Sequence, residues 1–495
     1  MKRKTLLLSS LVAVGALSAV ACNSNSSGGG GSGGRITINV HTQYGHGPRG
    51  LIETFASEFN EKQSQYKVVV DMEWSGDYNA LFGREKAALQ DPVSDGWGDL
   101  VTCYPDHIVD YMLDFRAVAK LDSYIAEYTE ADMEDFTVAA KDQFDLVFPR
   151  TGQFVLPFST STECMFYNPV VLTLTIPGIN NGERITRDYI DSLTWDEFFT
   201  NFCPKLLAYN ETLENKIIAT KDSGGNAQDY GILGYRDDNN FFITLCEQYG
   251  YSYTSVDTTS HQASIDFNTA NVRNLMKTFN AAKNNHYITT DGAVGGAGIQ
   301  SWLKNKQSLF YVASTGGIQY TQAAIEGAGW EIECGRIPQA SNEAGRPKMI
   351  SQGGSWCILE HAGKDKDKRV RGAFEFYKYM TETKQCTRWA AETGYYPIRR
   401  STVASNAWSK LIDETDDEGE PKVGIELLTA RNAAYCEKFD SILYTSAVFK
   451  GSSAARNEVD GLMVKVLKQP AAECTDAWLV DLFNETVNNI KKVMN

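Results

Sequence analysis

The chain is predicted to fold as a mixed α/β protein with two large lobes. Its 495 residues are too many for one ordinary domain. Over the first hundred residues, short apolar runs alternate with segments of helical periodicity, which is typical of a parallel sheet with helical crossovers. The apolar run FVLPF at 154–158 then leads into a second mixed region. This order indicates that the chain passes from one lobe into another.

The first lobe begins with regular strand–helix repeats. The predicted elements are a strand at 36–41, a helix at 51–62, a strand at 66–72, a helix at 78–90 and a strand at 99–103. Ligands of open parallel sheets bind beyond the carboxyl ends of the strands. We therefore expect a binding site at the loops that follow these strands, which are 41–47, 75–78 and 104–106.

The mixed pattern continues through the second region. Thr194 and Glu197 have the spacing of a capping box at the start of a helix. Residues 308–313 predict a strand that ends at Ser314. The glycine-rich segment 291–298 lacks the flanking strand and the Lys-Ser/Thr pair of a phosphate-binding loop, which favours an ordinary loop.

Residues 351–398 form the most informative stretch of the sequence. It is predicted to contain a strand, a charged turn and a helix with an apolar stripe. A second helix follows, which Thr383 can cap and Gly394 can end, and Pro397 prevents a restart. From the residues alone, this is an α/β module without an assigned function.

The first 21 residues indicate an export signal. Three basic residues precede an apolar stretch at 6–20, and Ala21 comes directly before Cys22. A cysteine after a small residue resembles a bacterial lipoprotein processing site. Lipidation of Cys22 is therefore expected, in preference to a plain cleaved signal or an uncleaved anchor. The following NSNSSGGGGSGG completes a predicted flexible tether at 22–34.

Charge, cysteine spacing and motifs exclude several functions. The formal net charge of −15 argues against nucleic acid or an anionic membrane surface as the main partner. The ten cysteines show no C-x-x-C spacing, and most are expected to be buried thiols, with one or two disulfides. No H-E-x-x-H, G-x-S-x-G or P-loop motif is present, so neither an enzyme nor a cofactor or metal is predicted. The acidic run at 413–420 favours a solvated insertion over a calcium site.

Five segments resemble, in the right order, those of extracellular solute-binding proteins of ABC importers, specifically the carbohydrate-type group called family 1. They are ETFASEFNEKQSQYKV, FVLPF with MFYNPVVL, LTWDEF, KQSLF and the stretch 351–398. Within this group, LPFSTSTECMFYN, YVASTGG, ISQGGSW and TGYYPI are most similar to sn-glycerol-3-phosphate-binding proteins. The resemblance covers residues 36–493. It implies a periplasmic-binding-protein-like fold of type II, with mixed sheets flanked by helices and a hinge between two lobes.

The resemblance also implies a solute pocket between the lobes. Carried over residue by residue, its members are Tyr78, Asp106, Ser161, Ser314, Gly353, Tyr395 and Arg456. An arginine fork can hold two oxygens of a phosphate, and hydroxyls and backbone amides add further donors. Tyrosines can pack on the carbon skeleton of a solute.

Each of these residues also has an ordinary structural interpretation. Arg456 could lie on a helix surface, Tyr78 and Tyr395 could be packing residues, and the two serines could be turn residues. Gly353 could serve only a tight bend, and Trp356 beside it is either a core residue or a stacking platform.

The chain departs from its relatives at the pocket itself. Asp106 stands one position later than the glutamate of the sn-glycerol-3-phosphate-binding proteins, and 234–237 (GYRD) replaces a tryptophan-bearing loop. Arg236 in that loop would favour an anionic solute. These differences leave the identity of the solute open.

The resemblance implies a first lobe of 35–155 plus 358–430 and a second lobe of 156–357 plus 431–495. It further implies a monomeric, lipid-anchored receptor on the extracytoplasmic face that passes its solute to the permease subunits of an ABC importer. The expected solute is glycerol 3-phosphate or a related phosphodiester. A neutral oligosaccharide is the alternative solute, and a surface lipoprotein enzyme or an adhesin is the alternative protein class.

Overall fold

The computed structural model describes residues 34–71, 76–91, 93, 95–296, 298–340, 347–412 and 425–494. The predicted export signal, the lipidation site Cys22 and all of the tether except Gly34 lie outside these residues, as does the acidic run 413–420. Within the described ranges, none of the helices combines the length and the apolar character needed to cross a bilayer.

The strands alternate with helices along the chain, as the sequence pattern predicts. The strands are β1 (Ile36–His41), β2 (Tyr66–Val70), β3 (Leu100–Cys103), β4 (Leu156–Pro157), β5 (Ser161–Tyr167), β6 (Leu233–Tyr235), β7 (Thr254–Val256), β8 (Ala263–Ile265), β9 (Ile288–Thr290), β10 (Phe310–Ser314), β11 (Glu333–Gly335), β12 (Met349–Gln352), β13 (Ser355–Ile358) and β14 (Leu443–Tyr444).

The α-helices range from single turns to nearly twenty residues. They are His46–Lys62, Tyr78–Gln90, Pro105–Asp110, Asp122–Ile125, Glu130–Asp135, Val138–Phe144, Arg187–Ser192, Trp195–Glu197, Cys203–Thr212, Asp238–Gln248, Ala270–Asn284, Trp302–Asn305, Ile318–Ala324, Lys366–Met380, Thr383–Thr393, Arg400–Val403, Asn406–Ile412, Ile425–Glu437, Ser452–Lys468 and Asp476–Met494.

The first sheet has five strands in the order β2-β1-β3-β13-β4. β1 runs parallel to β2 and β3, whereas β13 is antiparallel to β3. Along β1 the apolar Ile38 and Val40 are fully buried, and the intervening Asn39 is only partly buried. This alternation places one face of β1 in an apolar core to which helices His46–Lys62 and Lys366–Met380 contribute.

The second sheet has the order β14-β12-β5-β10-β6-β9, and β11 also pairs with β5. β5 lies in its centre, antiparallel to both β10 and β12. All seven residues of β5 are buried. Strands buried on both faces are normally continuous apolar runs, so the carboxyl group of Glu163 in the middle of β5 is unusual.

Two chain segments cross between the sheets side by side. Residues 158–160 join β4 to β5, and Gly353 and Gly354 join β12 to β13. The backbone N–H of Ser159 donates a 2.9 Å hydrogen bond to the carbonyl oxygen of Gly354. Gly353 has a φ of +111°, and a Cβ there would lie 1.7 Å from the carbonyl oxygen of Ser159. Only glycine allows the two crossings to approach this closely.

Several sequence-based predictions are corrected by the structure. Thr383 is the first residue of its helix rather than the cap, because Glu382 occupies the N-cap position, whereas Gly394 ends that helix in the left-handed region as predicted. The expected disulfides are wrong, since every cysteine in the described ranges is a free thiol. Trp356 is fully buried in the apolar core beside β1, so it is a core residue and not a stacking platform.

Candidate functional site

A cavity of about 350 Å³ lies where elements from the two sheets meet. The lining residues come from helices Tyr78–Gln90, Pro105–Asp110, Val138–Phe144, Asp238–Gln248 and Ser452–Lys468 and from the residues next to them. The end of β12 and the segment 445–448 complete the cavity. The lining residues are Asn79, Tyr104, Pro105, Asp106, His107, Gln143, Asp237, Asn239, Asn240, Tyr253, Ser351, Gln352, Gly353, Thr445, Ser446, Ala447, Val448, Ser452, Ser453, Arg456 and Asn457.

Arg456 supplies the cavity with a cation. It lies one turn into helix Ser452–Lys468, which follows Gly451 in the left-handed region. One guanidinium nitrogen donates hydrogen bonds to the side-chain oxygens of Asn239, at 3.2 Å, and Asn240. Arg456 has no ion pair with any carboxylate in the described ranges. Its charge is thus held in position by two neutral amides and is not cancelled by a salt bridge.

A buried carboxyl group lies directly behind this arginine. Asn240 donates 3.0 Å and 2.8 Å hydrogen bonds from its amide nitrogen to Glu163 and Gln352. The Tyr235 hydroxyl is hydrogen-bonded to the second oxygen of Glu163 and can accept the proton of the neutral acid. Burial raises the pKa of Glu163 to about 8, and the nearby Asp237 adds to the increase. Glu163 is therefore largely protonated at neutral pH.

Two carboxylates and one histidine also line the cavity. Asp106 follows β3, and Asp237 precedes helix Asp238–Gln248. Burial raises the pKa of Asp237 above its ordinary value, although Arg236 and Arg456 oppose the shift. Burial lowers the pKa of His107, so this ring is mainly neutral at pH 7. The same cavity is thus lined by one cation, Arg456, and by carboxylates that can accept hydrogen bonds from hydroxyl groups.

Tyrosines form one end of the site. The Tyr44 and Tyr78 hydroxyls lie 3.1 Å apart, and the Tyr78 ring lies 4.2 Å from that of Tyr104, centroid to centroid. Tyr395 packs edge-on against Tyr44 with centroids 6.2 Å apart. Burial raises the pKa of Tyr395 to about 12. These hydroxyls therefore stay neutral and can act as donors or acceptors.

The structure separates the predicted site residues into three groups. Asp106, Gly353 and Arg456 line the cavity. Tyr78 and Tyr395 belong to the tyrosine cluster beside the cavity. Tyr78 packs against Tyr104, which lines the cavity, and Tyr395 packs against Tyr44.

The two serines stand behind the cavity wall. The Ser314 hydroxyl lies 3.4 Å from that of Ser161, which donates a 3.2 Å hydrogen bond to the backbone oxygen of Gln352. Because Gln352 lines the cavity, the serines support its wall. Gly353 lines the cavity, and its lack of a side chain is also required by the crossing at Ser159.

Sequence reasoning missed several lining residues. Asn240 and Tyr253 carried no motif, and the segment 445–448 comes from a region without any signal. The departure at 234–237 did point to the right loop, because Asp237 lines the cavity, whereas Arg236 is exposed and is not among the lining residues. Tyr253 is 3% exposed, and its hydroxyl has no hydrogen-bond partner in the described chain.

The site offers no evident metal-binding arrangement. Within the described ranges, no three histidine, cysteine, aspartate or glutamate side chains are grouped so that they could hold a metal ion. What the residues provide is one cation, two carboxylates, several amides and tyrosine hydroxyls. This set suits noncovalent recognition of a polar solute.

Several solved structures share this fold and are distant in sequence. The cyclic α-maltosyl-1,6-maltose binding protein from Arthrobacter globiformis is 15% identical, with 93% of this chain and 100% of that chain covered and a TM-score of 0.63. UgpB from Mycobacterium tuberculosis, solved with glycerophosphocholine, is 15% identical, with 94% and 98% covered and a TM-score of 0.62. The GacH receptor of Streptomyces glaucescens is 16% identical, with 92% and 99% covered and a TM-score of 0.59.

These similarities confirm the predicted two-lobed, periplasmic-binding-protein-like α/β fold. A comparison with curated protein sequences finds no match. A family described as bacterial extracellular solute-binding protein matches residues 54–413, which is more than half of the chain. The chain therefore belongs to the bacterial extracellular solute-binding proteins.

Proposed function

We propose that this protein is the solute receptor of an ABC importer and that its cavity binds a small glycerol phosphodiester. The observation that carries the proposal is Arg456, which lines the cavity without an ion pair in the described ranges. A guanidinium group held in place but not neutralised is suited to an anionic oxygen pair. Asp106 and Asp237 on the lining can accept hydrogen bonds from glycerol hydroxyls.

The charge of the lining favours a monoanion. His107 is mainly neutral because burial lowers its pKa, so Arg456 supplies most of the positive charge. A phosphate monoester carries a charge of about −1.5 to −2 at pH 7, which the nearby carboxylates would repel. A phosphodiester carries about one negative charge and can be balanced by one guanidinium. A diester is therefore preferred over glycerol 3-phosphate itself.

A neutral oligosaccharide is the second candidate. Tyr104 is 37% exposed and lies on the cavity with its ring against Tyr78, so it offers a face for packing a sugar. Tyr253, Asp106 and Asp237 would bind sugar hydroxyls. In this case Arg456 would act only as a hydrogen-bond donor.

Membrane attachment, the lobe boundaries and the binding residues are further parts of the proposed receptor. We propose that Cys22 is lipidated after removal of residues 1–21 and that the tether 22–34 holds a monomeric receptor near the permease. The lobes would comprise 35–155 plus 358–430 and 156–357 plus 431–495. Tyr78, Asp106, Ser161, Ser314, Gly353, Tyr395 and Arg456 would form the binding site and its immediate support.

Thermal unfolding with a panel of solutes tests the proposed function. Glycerophosphoglycerol, glycerol 3-phosphate and maltotriose should be compared at the same concentrations. A solute at 100 times its Kd stabilises the folded protein by about 2.7 kcal/mol. We expect the largest increase in Tm with the diester. An increase with maltotriose and none with either phosphate compound would overturn the phosphodiester proposal in favour of the neutral sugar.

The variant Arg456→Ala tests the assigned cation. We expect the Kd for glycerophosphoglycerol to rise by about tenfold to a hundredfold, because a hydrogen bond to a charged group contributes about 1.5–3 kcal/mol. Isothermal titration calorimetry gives the Kd. Lys468→Ala is the control, since Lys468 is exposed on the same helix. An unchanged Kd in Arg456→Ala would show that Arg456 does not contact the solute.

A further inference from the structure

The buried carboxyl group of Glu163 is connected to the cavity by a continuous chain of side chains. Glu163 is 0% exposed in the centre of β5. One of its oxygens shares a hydrogen bond with the Tyr235 hydroxyl, and the other accepts a 3.0 Å hydrogen bond from Asn240. Asn240 in turn accepts a hydrogen bond from Arg456. The three residues lie on different elements of the fold. A change in the hydrogen bonding or charge of Glu163 can therefore alter the position of the Arg456 guanidinium through Asn240.

The bonds of Asn240 fix the direction of its amide. Its nitrogen donates to two acceptors, Glu163 at 3.0 Å and the side-chain oxygen of Gln352 at 2.8 Å. An amide nitrogen can donate two hydrogen bonds, so both donors are used. The amide oxygen is thereby directed at Arg456. Glu163 thus helps to hold the arginine in the cavity, although it does not line the cavity itself.

The groups that face Glu163 are mostly neutral. The tyrosines of neighbouring strands, Tyr235 on β6, Tyr311 on β10 and Tyr444 on β14, have pKa values raised by burial. Cys164, the next residue on β5, also has its pKa raised by burial. None of these groups is charged near neutral pH.

Two charged groups remain close enough to act on Glu163. Asp237 raises the pKa of Glu163 and Arg456 lowers it, while burial is the largest cause and brings the value to about 8. The carboxyl group and the guanidinium therefore affect each other electrostatically. A negative charge on Glu163 would offset part of the positive charge that Arg456 offers to a solute.

We propose that Glu163 is a positioning residue that sets the charge selectivity of the cavity. It orients Arg456 through Asn240, and while it is protonated the full guanidinium charge is available to an anionic solute. When Glu163 ionises, it competes with the solute for that charge. This inference rests on the proposed binding of an anionic solute at Arg456.

The proposal fixes the sign of a pH effect. An anion bound at Arg456 disfavours the ionised form of Glu163, so binding raises the pKa of this carboxyl group. Binding must then be accompanied by proton uptake when the pH lies between the pKa of the free protein, about 8, and the higher pKa of the bound protein. Affinity for the anion falls as the pH rises through this range. Well below it, Glu163 is already protonated and affinity does not depend on this group.

Calorimetry with the full-length protein provides the test. Glycerophosphoglycerol is the probe because its diester phosphate does not titrate in this range. Titrations near pH 6.5 and pH 8.5, each in two buffers of different ionisation enthalpy, count the protons taken up on binding. For the wild type we expect uptake near pH 8.5 and little near pH 6.5. The Kd should rise by up to about tenfold for each pKa unit by which binding shifts the carboxyl group.

The variant Glu163→Gln imitates the protonated carboxyl group. Where it binds the probe, it should take up no protons near pH 8.5 and should show no dependence of Kd on pH across this range. Glu247→Gln is the control. Glu247 also has a pKa raised by burial and lies on the same helix as Asn240, but its side chain has no hydrogen bond to Asn240 or Arg456. This variant should behave like the wild type.

The outcomes separate the two proposals. Absence of probe binding near pH 6.5, where Glu163 is protonated, would overturn the proposed function. If the wild type binds the probe near pH 6.5 but takes up no protons near pH 8.5, the proposed role of Glu163 is overturned and the proposed function is not. This result is obtained with the wild type alone. Equal proton uptake in the wild type and in a folded Glu163→Gln would also overturn the proposed role of Glu163, because the protons would then bind to another group.

Discussion

Single residues at the junction of the two sheets carry unusually strict requirements. Gly353 combines a φ of +111° with a position at which any Cβ would meet the backbone of Ser159. The next residue is equally constrained, because a Cβ on Gly354 would lie 2.0 Å from the Tyr78 hydroxyl oxygen. The pair of glycines thus lets a crossing segment and a tyrosine of the site pack against bare backbone.

At this scale we predict that Gly353→Ala lowers the free energy of unfolding by at least about 2 kcal/mol. The clash is with backbone atoms, which cannot move aside as a flexible side chain can. Chemical denaturation measures the loss. Gly461→Ala is a matched control, since Gly461 lies inside helix Ser452–Lys468 and a Cβ there would meet no atom of another element within 4 Å. It should be neutral or stabilising by up to about 1 kcal/mol. Equal effects of the two changes would contradict the prediction.

At the scale of elements, helix ends place the residues of the site. Tyr78 is the first residue of helix Tyr78–Gln90, directly after the N-cap Asp77. The Asp77 side chain accepts a 2.8 Å hydrogen bond from the backbone N–H of Ala80. Arg456 likewise lies near the start of its helix. The Asp77 cap fixes where helix Tyr78–Gln90 begins and therefore helps to position Tyr78.

We therefore predict that Asp77→Ala destabilises the protein by about 1 kcal/mol, the usual cost of losing a side-chain cap. The midpoint of denaturation by urea is the measurement. Glu61→Ala serves as the control, because Glu61 is exposed on helix His46–Lys62 and caps neither end of it. A midpoint that is unchanged in Asp77→Ala would mean that the hydrogen bond contributes nothing to the start of this helix.

For the molecule as a whole, three apolar clusters stabilise the fold without covalent cross-links in the described ranges. Eight of the nine described cysteines are buried and Cys334 is half-buried, and all nine are free thiols. Burial raises the pKa of Cys203 and Cys246 well above the ordinary value. These thiols therefore behave as small apolar residues.

This arrangement predicts that reductant has no effect on stability. Thermal unfolding of residues 34–495 should give the same Tm with and without dithiothreitol. A thiol reagent should label at most Cys334 readily in the folded protein and all nine cysteines in concentrated guanidinium chloride. A lower Tm in dithiothreitol, or fewer than nine reactive thiols after denaturation, would reveal a disulfide.

The sequence by itself determined the class of fold and the order of the early elements. Strand Ile36–His41 and helix Tyr78–Gln90 have the bounds that the local sequence pattern predicts, because this signal depends on a few neighbouring residues. The resemblance to a known family located three lining residues, Asp106, Gly353 and Arg456. Local sequence patterns were sufficient to predict features that depend only on neighbouring residues within one strand or helix.

Only the tertiary structure decided which distant side chains share the cavity. Tyr253 and the segment 445–448 join it from parts of the chain that carry no motif. The link from Glu163 through Asn240 to Arg456 spans sequence separations of 77 and 216 residues. Such contacts depend on how strands and helices from both sheets pack, and no short-range pattern encodes that packing. For the same reason, the sequence revealed an arginine, whereas only the fold showed that its charge is held beside a buried carboxyl group.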